Sequence, residues 1–173
     1  DRIAAIADAF SWTDPSLASA RLRELGLITA DHGGDELTIA GALHLLDRPG
    51  EKLGKAYIEV MRYRDDGTTY DRRVEFSGPL REQVVRATQF VSDEIGDEVV
   101  ILGVHRHELP RIPQRVIREA VANAVAHRDY QQDGRSIRIE LRPGSVEVVS
   151  PGGLPEPVTV ENIRDQTSAR NPA

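Results

Sequence analysis

The sequence predicts an α+β fold in which helices cover one face of a mixed sheet. Two segments, 57–76 and 136–149, alternate apolar and polar residues on either side of turn residues, as β-hairpins do. Two further segments, 80–95 and 113–127, carry apolar residues at helical spacing and lie between the hairpins. Because strands and helices do not alternate regularly, we expect a two-layer sandwich rather than a doubly wound parallel sheet.

The first 46 residues are predicted to be mostly helical. Residues 1–10 are rich in Ala and Ile, and Asp14-Pro15 supplies a cap and a first-turn proline for a helix that ends at Gly26. After a turn-rich break over 31–35, Thr38 can cap a further short helix. We therefore expect a helical connector at the start of the chain.

The sequence changes from a helical pattern to a strand pattern after the connector. We therefore divide it into a connector over residues 1–48 and a second domain over residues 49–173. The letters RLRELGLI and DELTIAG in the connector also resemble the last helix and wing of a winged-helix DNA-binding domain, and this alternative stays open. The sequence starts without Met and stops in a polar stretch. We expect the second domain to be truncated at its carboxyl end.

Composition narrows the classes of function. The absence of cysteine removes disulfides, thiolate zinc sites and cysteine nucleophiles. No apolar run approaches the roughly 20 residues of a membrane span, so we expect no membrane partner and a cytoplasmic location. A net charge of −6 argues against a generally basic nucleic-acid-binding surface, although arginines outnumber acidic residues over 101–142.

The helix predicted over 113–127 carries the residues that indicate chemistry. Glu119, Asn123 and His127 follow one another at four-residue spacing and form one polar stripe. Asn is a poor residue for a helix interior, and the alanines around the stripe leave room for a ligand. The predicted buried face of this helix consists of Ile117, Ala120, Val121, Ala124 and Val125, and that of the helix over 80–95 consists of Val84, Val85, Ala87, Phe90 and Val91.

The spacing of the stripe suits metal and phosphate chemistry. An amide oxygen such as that of Asn123 is a hard ligand for Mg²⁺, which shares its coordination shell with water and substrate phosphates. A carboxylate one turn earlier, that of Glu119, can hold or deprotonate a water. The same pair on an exposed helix edge is also compatible with a solvated surface.

The segment REAVANAVAHRDY resembles the N box of the GHKL superfamily, which includes gyrase, Hsp90, histidine kinases and MutL. Together with VEVVSPGGLPEPVTVENI and SARNP, it is similar to bacterial transcriptional regulators labelled ATP-dependent DNA helicase RecG-related and associated with Schlafen/AlbA domains. This resemblance covers roughly residues 35–173. It implies a Bergerat-type sandwich over residues 49–173 that binds ATP and Mg²⁺.

The resemblance assigns roles along the helix and beyond it. Glu119 becomes the candidate general base, Asn123 the Mg²⁺ ligand, and His127 a polar residue near the phosphates. Gly152 and Gly153 match the glycine turn of the nucleotide site. The resemblance adds three nucleotide-site residues from the segment along the nucleotide lid: Ser168, Arg170 and Asn171.

One departure from the superfamily concerns the base of the nucleotide. ATP-hydrolysing members place an Asp before the glycine turn, where it binds the adenine amino group. This chain has Ser150 there, and a hydroxyl is a less selective partner for that edge. Adenine selectivity and ATP hydrolysis therefore stay open.

The resemblance implies an Mg-ATP-binding domain of a bacterial transcriptional regulator, with DNA as a partner through attached domains. The alternative is a non-catalytic, DNA-linked regulatory domain, or a homodimerisation domain, that keeps the fold without nucleotide turnover. Two smaller features are expected to be structural. His105 and His107 lack a third metal ligand nearby, and Arg128 with Asp129 is expected to close the helix as an ion pair.

Overall fold

The structure, a computed structural model, describes residues 17–31, 34–64, 68–102, 105–154, 157–162 and 165. Helices in these ranges are α1 (Ala18–Glu24), α2 (Ile39–Leu45), α3 (Gly50–Leu53), α4 (Leu80–Ile95) and α5 (Gln114–Ala126). Strands are β1 (Ile28–Asp31), β2 (Gly34–Leu37), β3 (Ile58–Tyr63), β4 (Tyr70–Phe76), β5 (Asp97–Leu102), β6 (His105–Pro110), β7 (Ile137–Arg142) and β8 (Ser145–Val149).

A four-stranded sheet in the order β4-β3-β7-β8 is the centre of the fold. The hairpins β3–β4 and β7–β8 are antiparallel, and the two central strands β3 and β7 run parallel, with Ile58 opposite Ile137. The sheet is therefore mixed. Because the central pair is parallel, the chain has to cross over between β3 and β7, and α4 and α5 lie in this crossover. The α+β class predicted from the sequence is confirmed.

Helices α4 and α5 pack on each other and on one face of this sheet. We call this covered face the helical face. Strand alternation directs Ile58, Val60 and Ile139 towards the helices, where none is more than 1% exposed. The helices contribute Val91 and Val121, both 0% exposed. Burial of this apolar surface is the main source of stability, at about 25 cal/mol per Å² removed from water.

The opposite face of the sheet, which we call the open face, carries charged side chains from the alternate positions of the same strands. Glu59 and Glu140 are nevertheless only 6% and 8% exposed. Arg73 donates to Glu59, and Arg142 Nη2 donates to Glu140 Oε2 at 2.8 Å while lying 4.0 Å from the ring centre of Tyr63. Arginine side chains thus bury and neutralise the carboxylates of this face.

The predicted hairpins and both long helices are confirmed to within a residue or two. Pro113 lies at the position before α5 rather than inside its first turn. Two predicted core positions are wrong. Val85 is 58% exposed and Ala120 is also exposed, because both lie at the edge of the stripe that faces the sheet. The turn at 65–67 lies outside the described residues.

The start of the chain is less helical than predicted. After α1, residues 28–31 and 34–37 pair as the antiparallel strands β1 and β2 in place of a simple turn-rich break. Thr38 caps α2 as predicted, since its Oγ1 accepts from Gly41 N at 3.0 Å. A helix followed by a hairpin is also the order in the winged-helix alternative. Residues 1–16, which include the predicted cap Asp14-Pro15, lie outside the described residues.

Two further segments differ from expectation. The short apolar run over 99–104 predicts a strand, which β5 confirms for 99–102, whereas HRHELP, with only one large apolar residue, does not predict its partner β6. The β5–β6 hairpin is separate from the central sheet, and Ile101 is 72% exposed. After the glycine turn, Val158 or Thr159 is expected to open a short helix to about Asp165. This prediction is wrong for 158–162, which contain turns closed by Asn162 and Thr159.

Candidate functional site

Helix α5 presents the predicted polar stripe on its surface. Glu119 and Asn123 are both exposed, and Asn123 Nδ2 donates to Glu119 Oε1 at 3.2 Å. His127 ends the helix, and its backbone N donates to Asn123 O at 2.9 Å. Since the amide nitrogen of Asn123 is used for Glu119, the amide oxygen is the atom available to a cation. The structure therefore brings these three predicted residues together.

The glycine turn after β8 packs against the carboxyl end of α5. Ser150 Oγ donates to Ala124 O at 2.7 Å, and Asp129 N donates to Pro151 O at 2.8 Å. Gly152 has φ 118°, a backbone conformation that side chains rarely adopt. Ser150 and the turn are thereby fixed against Ala124, the residue that follows Asn123 in α5. The hydroxyl hydrogen of Ser150 is occupied, so this side chain can act on a ligand only as an acceptor.

The HRDY segment has a structural role. Arg128 is 1% exposed, and its Nη2 donates to Arg135 O at 2.8 Å. Its guanidinium lies 4.8 Å from the ring centre of Tyr130, whose hydroxyl donates to Val125 O at 3.1 Å. Burial lowers the pKa of Arg128 and raises the pKa of Tyr130 to about 12. These contacts hold the loop from α5 to β7 against the helix.

The same loop also contacts the start of β3. Lys55 N donates to Asp133 O at 2.7 Å, and Gly54, with φ 61°, lies directly against Asp133. A Cβ at Gly54 would stand 2.5 Å from Asp133 O, so only glycine permits this approach. The expected ion pair of Arg128 with Asp129 stays a prediction, although the charge of Asp129 opposes the effect of burial on the pKa of Arg128. Asp129 Oδ1 also accepts from Gln131 N at 3.1 Å.

Sequence reasoning missed a cleft of about 670 Å³ on the open face. Its lining comes from the ends of β3, β7 and β8 and the loops beside them. Ser150 and Gly152 reach its rim, whereas Glu119, Asn123 and His127 are not among its lining residues. The arginines of GRSIR are the sequence signal for this cleft. Lys55 lies far from them in the sequence, so no spacing predicts that the three cations meet. The main lining side chains are Lys55, Glu59, Arg135, Ser136 and Arg138.

The described residues contain no group of three or more His, Cys, Asp or Glu side chains that could hold a metal by themselves. His105 and His107 lie on the exposed strand β6 with ring centres 6.4 Å apart. One amide oxygen, that of Asn123, fits a Mg²⁺ ion that takes its other ligands from water and phosphate. The predicted nucleotide-site residues Ser168, Arg170 and Asn171 lie outside the described residues.

Comparison with known proteins gives a fold and no family. No protein-family model and no curated protein matches the chain. A crystal structure of the DIP2311 protein from Corynebacterium diphtheriae is similar to it, with a TM-score of 0.74 and 26% sequence identity. The similarity covers 99% of this chain and 34% of that protein, so the chain spans about a third of its length. None of the described helices has the length and apolar composition of a membrane span.

Proposed function

We propose that the chain contains a GHKL-like nucleotide-binding domain that binds Mg-ATP and belongs to a bacterial transcriptional regulator. One observation carries this proposal. The turn with Ser150 and Gly152 packs on the end of α5, where Ser150 Oγ donates to the carbonyl of Ala124, the residue after Asn123. A cation ligand, an acceptor for a base and a glycine turn thus lie around the same end of one helix.

Each group has a distinct task in this proposal. Asn123 holds Mg²⁺ through its amide oxygen, and the ion neutralises phosphate charge. Glu119, already hydrogen-bonded to Asn123, holds the water that would attack the terminal phosphate. Ser150 accepts from the amino group of the base with an oxygen lone pair. A neutral acceptor binds more weakly than a carboxylate, so we expect modest selectivity for adenine.

Calorimetric titration with a non-hydrolysable ATP analogue, with and without Mg²⁺, tests binding. We expect magnesium-dependent binding that Asn123→Ala abolishes. Gln89→Ala is the matched control, because Gln89 Nε2 also donates to an acid at four-residue spacing, Asp93 Oδ1, on an exposed helix surface. Absence of binding in the unaltered chain, or equal losses in both variants, would overturn the proposal for this chain.

Glu119→Gln separates binding from hydrolysis. If Glu119 activates water, the amide variant keeps Mg-ATP affinity and loses phosphate release, because the substitution preserves shape and removes the base. Measured phosphate release that is unchanged in Glu119→Gln would assign hydrolysis to another group. Glu82→Gln, at an exposed position in the first turn of α4, is the control.

A DNA-linked regulatory domain is the second candidate, favoured by the order of α1 and the β1–β2 hairpin. The charges of this region weaken it. Arg21 pairs with Glu24 at 2.8 Å and Arg23 pairs with Asp35, so neither is free for a phosphate. DNA affinity that falls steeply with salt would support this candidate, since phosphate contacts release counterions. No DNA binding at low salt would exclude it for this chain.

A further inference from the structure

The cleft on the open face contains more positive than negative side chains. Lys55 comes from the segment before β3, Arg135 and Ser136 from the loop before β7, and Arg138 from β7 itself. The acid in its lining is Glu59. Neighbouring strands thus bring Lys55 to the same cleft as Arg135 and Arg138, which come from a distant part of the sequence.

The acid does not neutralise these cations. Glu59 is 6% exposed, accepts from Arg73, which is not among the lining residues, and also accepts from Ser136 Oγ at 3.3 Å. Its charge is therefore paired with Arg73, which lies outside the cleft lining. Arg138 makes a long contact of 4.0 Å with Glu140. Among the described residues, the side chains of Lys55 and Arg135 have no ion-pair or hydrogen-bond partner.

We propose that this cleft binds a phosphate group. Unpaired cations held close together repel one another, and a dianion relieves that repulsion. The guanidinium of Arg135 suits bidentate phosphate contacts, and the ammonium of Lys55 adds a point charge. Gly134 and Gly152 on the rim leave the backbone open to a ligand. The volume of about 670 Å³ accommodates either a free phosphate or a phosphorylated small molecule.

This site meets the proposed nucleotide site at the turn after β8, since Ser150 and Gly152 belong to both. Val149 lies opposite Arg138 in the sheet and lines the cleft. The next residue, Ser150, directs its hydroxyl to α5 on the other face. The two sites therefore share the turn after β8 but use different faces of the sheet.

Calorimetric titration of the chain with inorganic phosphate and with ribose 5-phosphate, at constant ionic strength, tests the proposal. We expect saturable binding that weakens about tenfold in Lys55→Gln and in Arg135→Gln, the effect of one lost charge-assisted hydrogen bond. Both substitutions leave intact the backbone contacts of these residues. Arg81→Gln, which removes one exposed cation on α4, should leave the affinity unchanged.

The two probes distinguish the sources of the phosphate. Tighter binding of ribose 5-phosphate identifies a phosphorylated small molecule, and equal affinities identify free phosphate. No saturable binding of either probe, or an equal loss in Arg81→Gln, would overturn the proposal. Asn123→Ala should leave phosphate affinity unchanged, so failure of the nucleotide site and failure of this site give different results.

Discussion

The two faces of the central sheet are built by the same strands but stabilised in different ways. Along β3, Ile58 and Val60 face the helices, and Glu59 faces the opposite side among arginines. The helical face depends on apolar area removed from water, and a truncated side chain there loses that area and leaves a cavity. The open face depends on individual donors and acceptors, each of which has to be matched. A substitution should therefore have a larger effect on stability at the helical face.

The turn after β8 is where the two faces meet. Ser150 donates to α5 on the helical face, and Val149, Ser150 and Gly152 all line the cleft on the open face. A substitution in this turn should therefore disturb both proposed sites. Asn123 belongs only to the proposed nucleotide site and Arg135 only to the cleft, so substitutions of these two residues separate the sites.

Ile139→Ala should give the largest loss of stability. Ile139 is 0% exposed at the centre of the helical face, and truncation leaves a cavity that costs about 2–5 kcal/mol of unfolding free energy. Chemical denaturation followed by circular dichroism measures the loss. Val85→Ala, at a 58% exposed position on α4, should change stability by less than about 0.5 kcal/mol. Comparable losses at both positions would contradict the assignment of the core.

Glu59→Gln should have an intermediate effect. The amide loses a charged hydrogen bond from Arg73 in a buried position, which costs about 1–2 kcal/mol. Glu75 contacts the same arginine at 3.1 Å but is 49% exposed. Glu75→Gln should therefore lower the free energy of unfolding by only a few tenths of a kcal/mol, roughly the value of a surface ion pair. If the two variants unfold at the same denaturant concentration, burial of Glu59 contributes nothing.

Asp71 gives a smaller effect that depends on pH. Hydrogen bonds from Arg62, at 3.1 and 2.7 Å, hold the pKa of Asp71 at about 2, below its usual 3.8. A lowered folded-state pKa means that the stabilisation is present above pH 3.8 and is lost as the pH falls through 2. Asp71→Asn should therefore lower the melting temperature at pH 7, and the difference from the unaltered chain should shrink between pH 4 and pH 2. A constant difference would contradict the pairing.

Asn123→Ala should have the smallest effect on stability, and this effect should be a slight gain rather than a loss. Alanine is the better helix former by about half a kcal/mol, and the hydrogen bond from Asn123 to Glu119 that this variant removes is exposed to solvent. We expect a melting temperature that is unchanged or slightly higher, together with the loss of nucleotide binding. A clear loss of stability would instead make Asn123 a structural residue. Gln89→Ala again serves as the matched control.

Much of the helical face could be predicted from sequence. Its strands alternate apolar and polar residues, and α4 begins and ends at the predicted residues, because periodicity is a local signal. The neighbourhood of Glu119, Asn123 and His127 follows from helical spacing alone. The structural role of HRDY could not be predicted, because it depends on contacts of Arg128 with Arg135 and of Tyr130 with Val125 that no spacing reveals.

The open face and the hairpin β5–β6 could not be predicted in the same way. The alternate polar positions of the open face look like a solvated surface, and only the sheet order places Lys55, Ser136 and Ser150 around one cleft. Strand β6 of the hairpin β5–β6 is exposed along its whole length and carries no apolar alternation. In both cases the information lies in contacts between segments distant in sequence.

A titration of the ¹⁵N-labelled chain with Mg²⁺ and a non-hydrolysable ATP analogue, followed by amide chemical shifts, tests the central claim most directly. Nucleotide binding at α5 predicts shifts at Glu119, Asn123 and His127. Shifts confined to Lys55, Arg135 and Arg138 would place the nucleotide in the open-face cleft and contradict the proposed role of α5. An absence of shifts anywhere would contradict nucleotide binding by this chain.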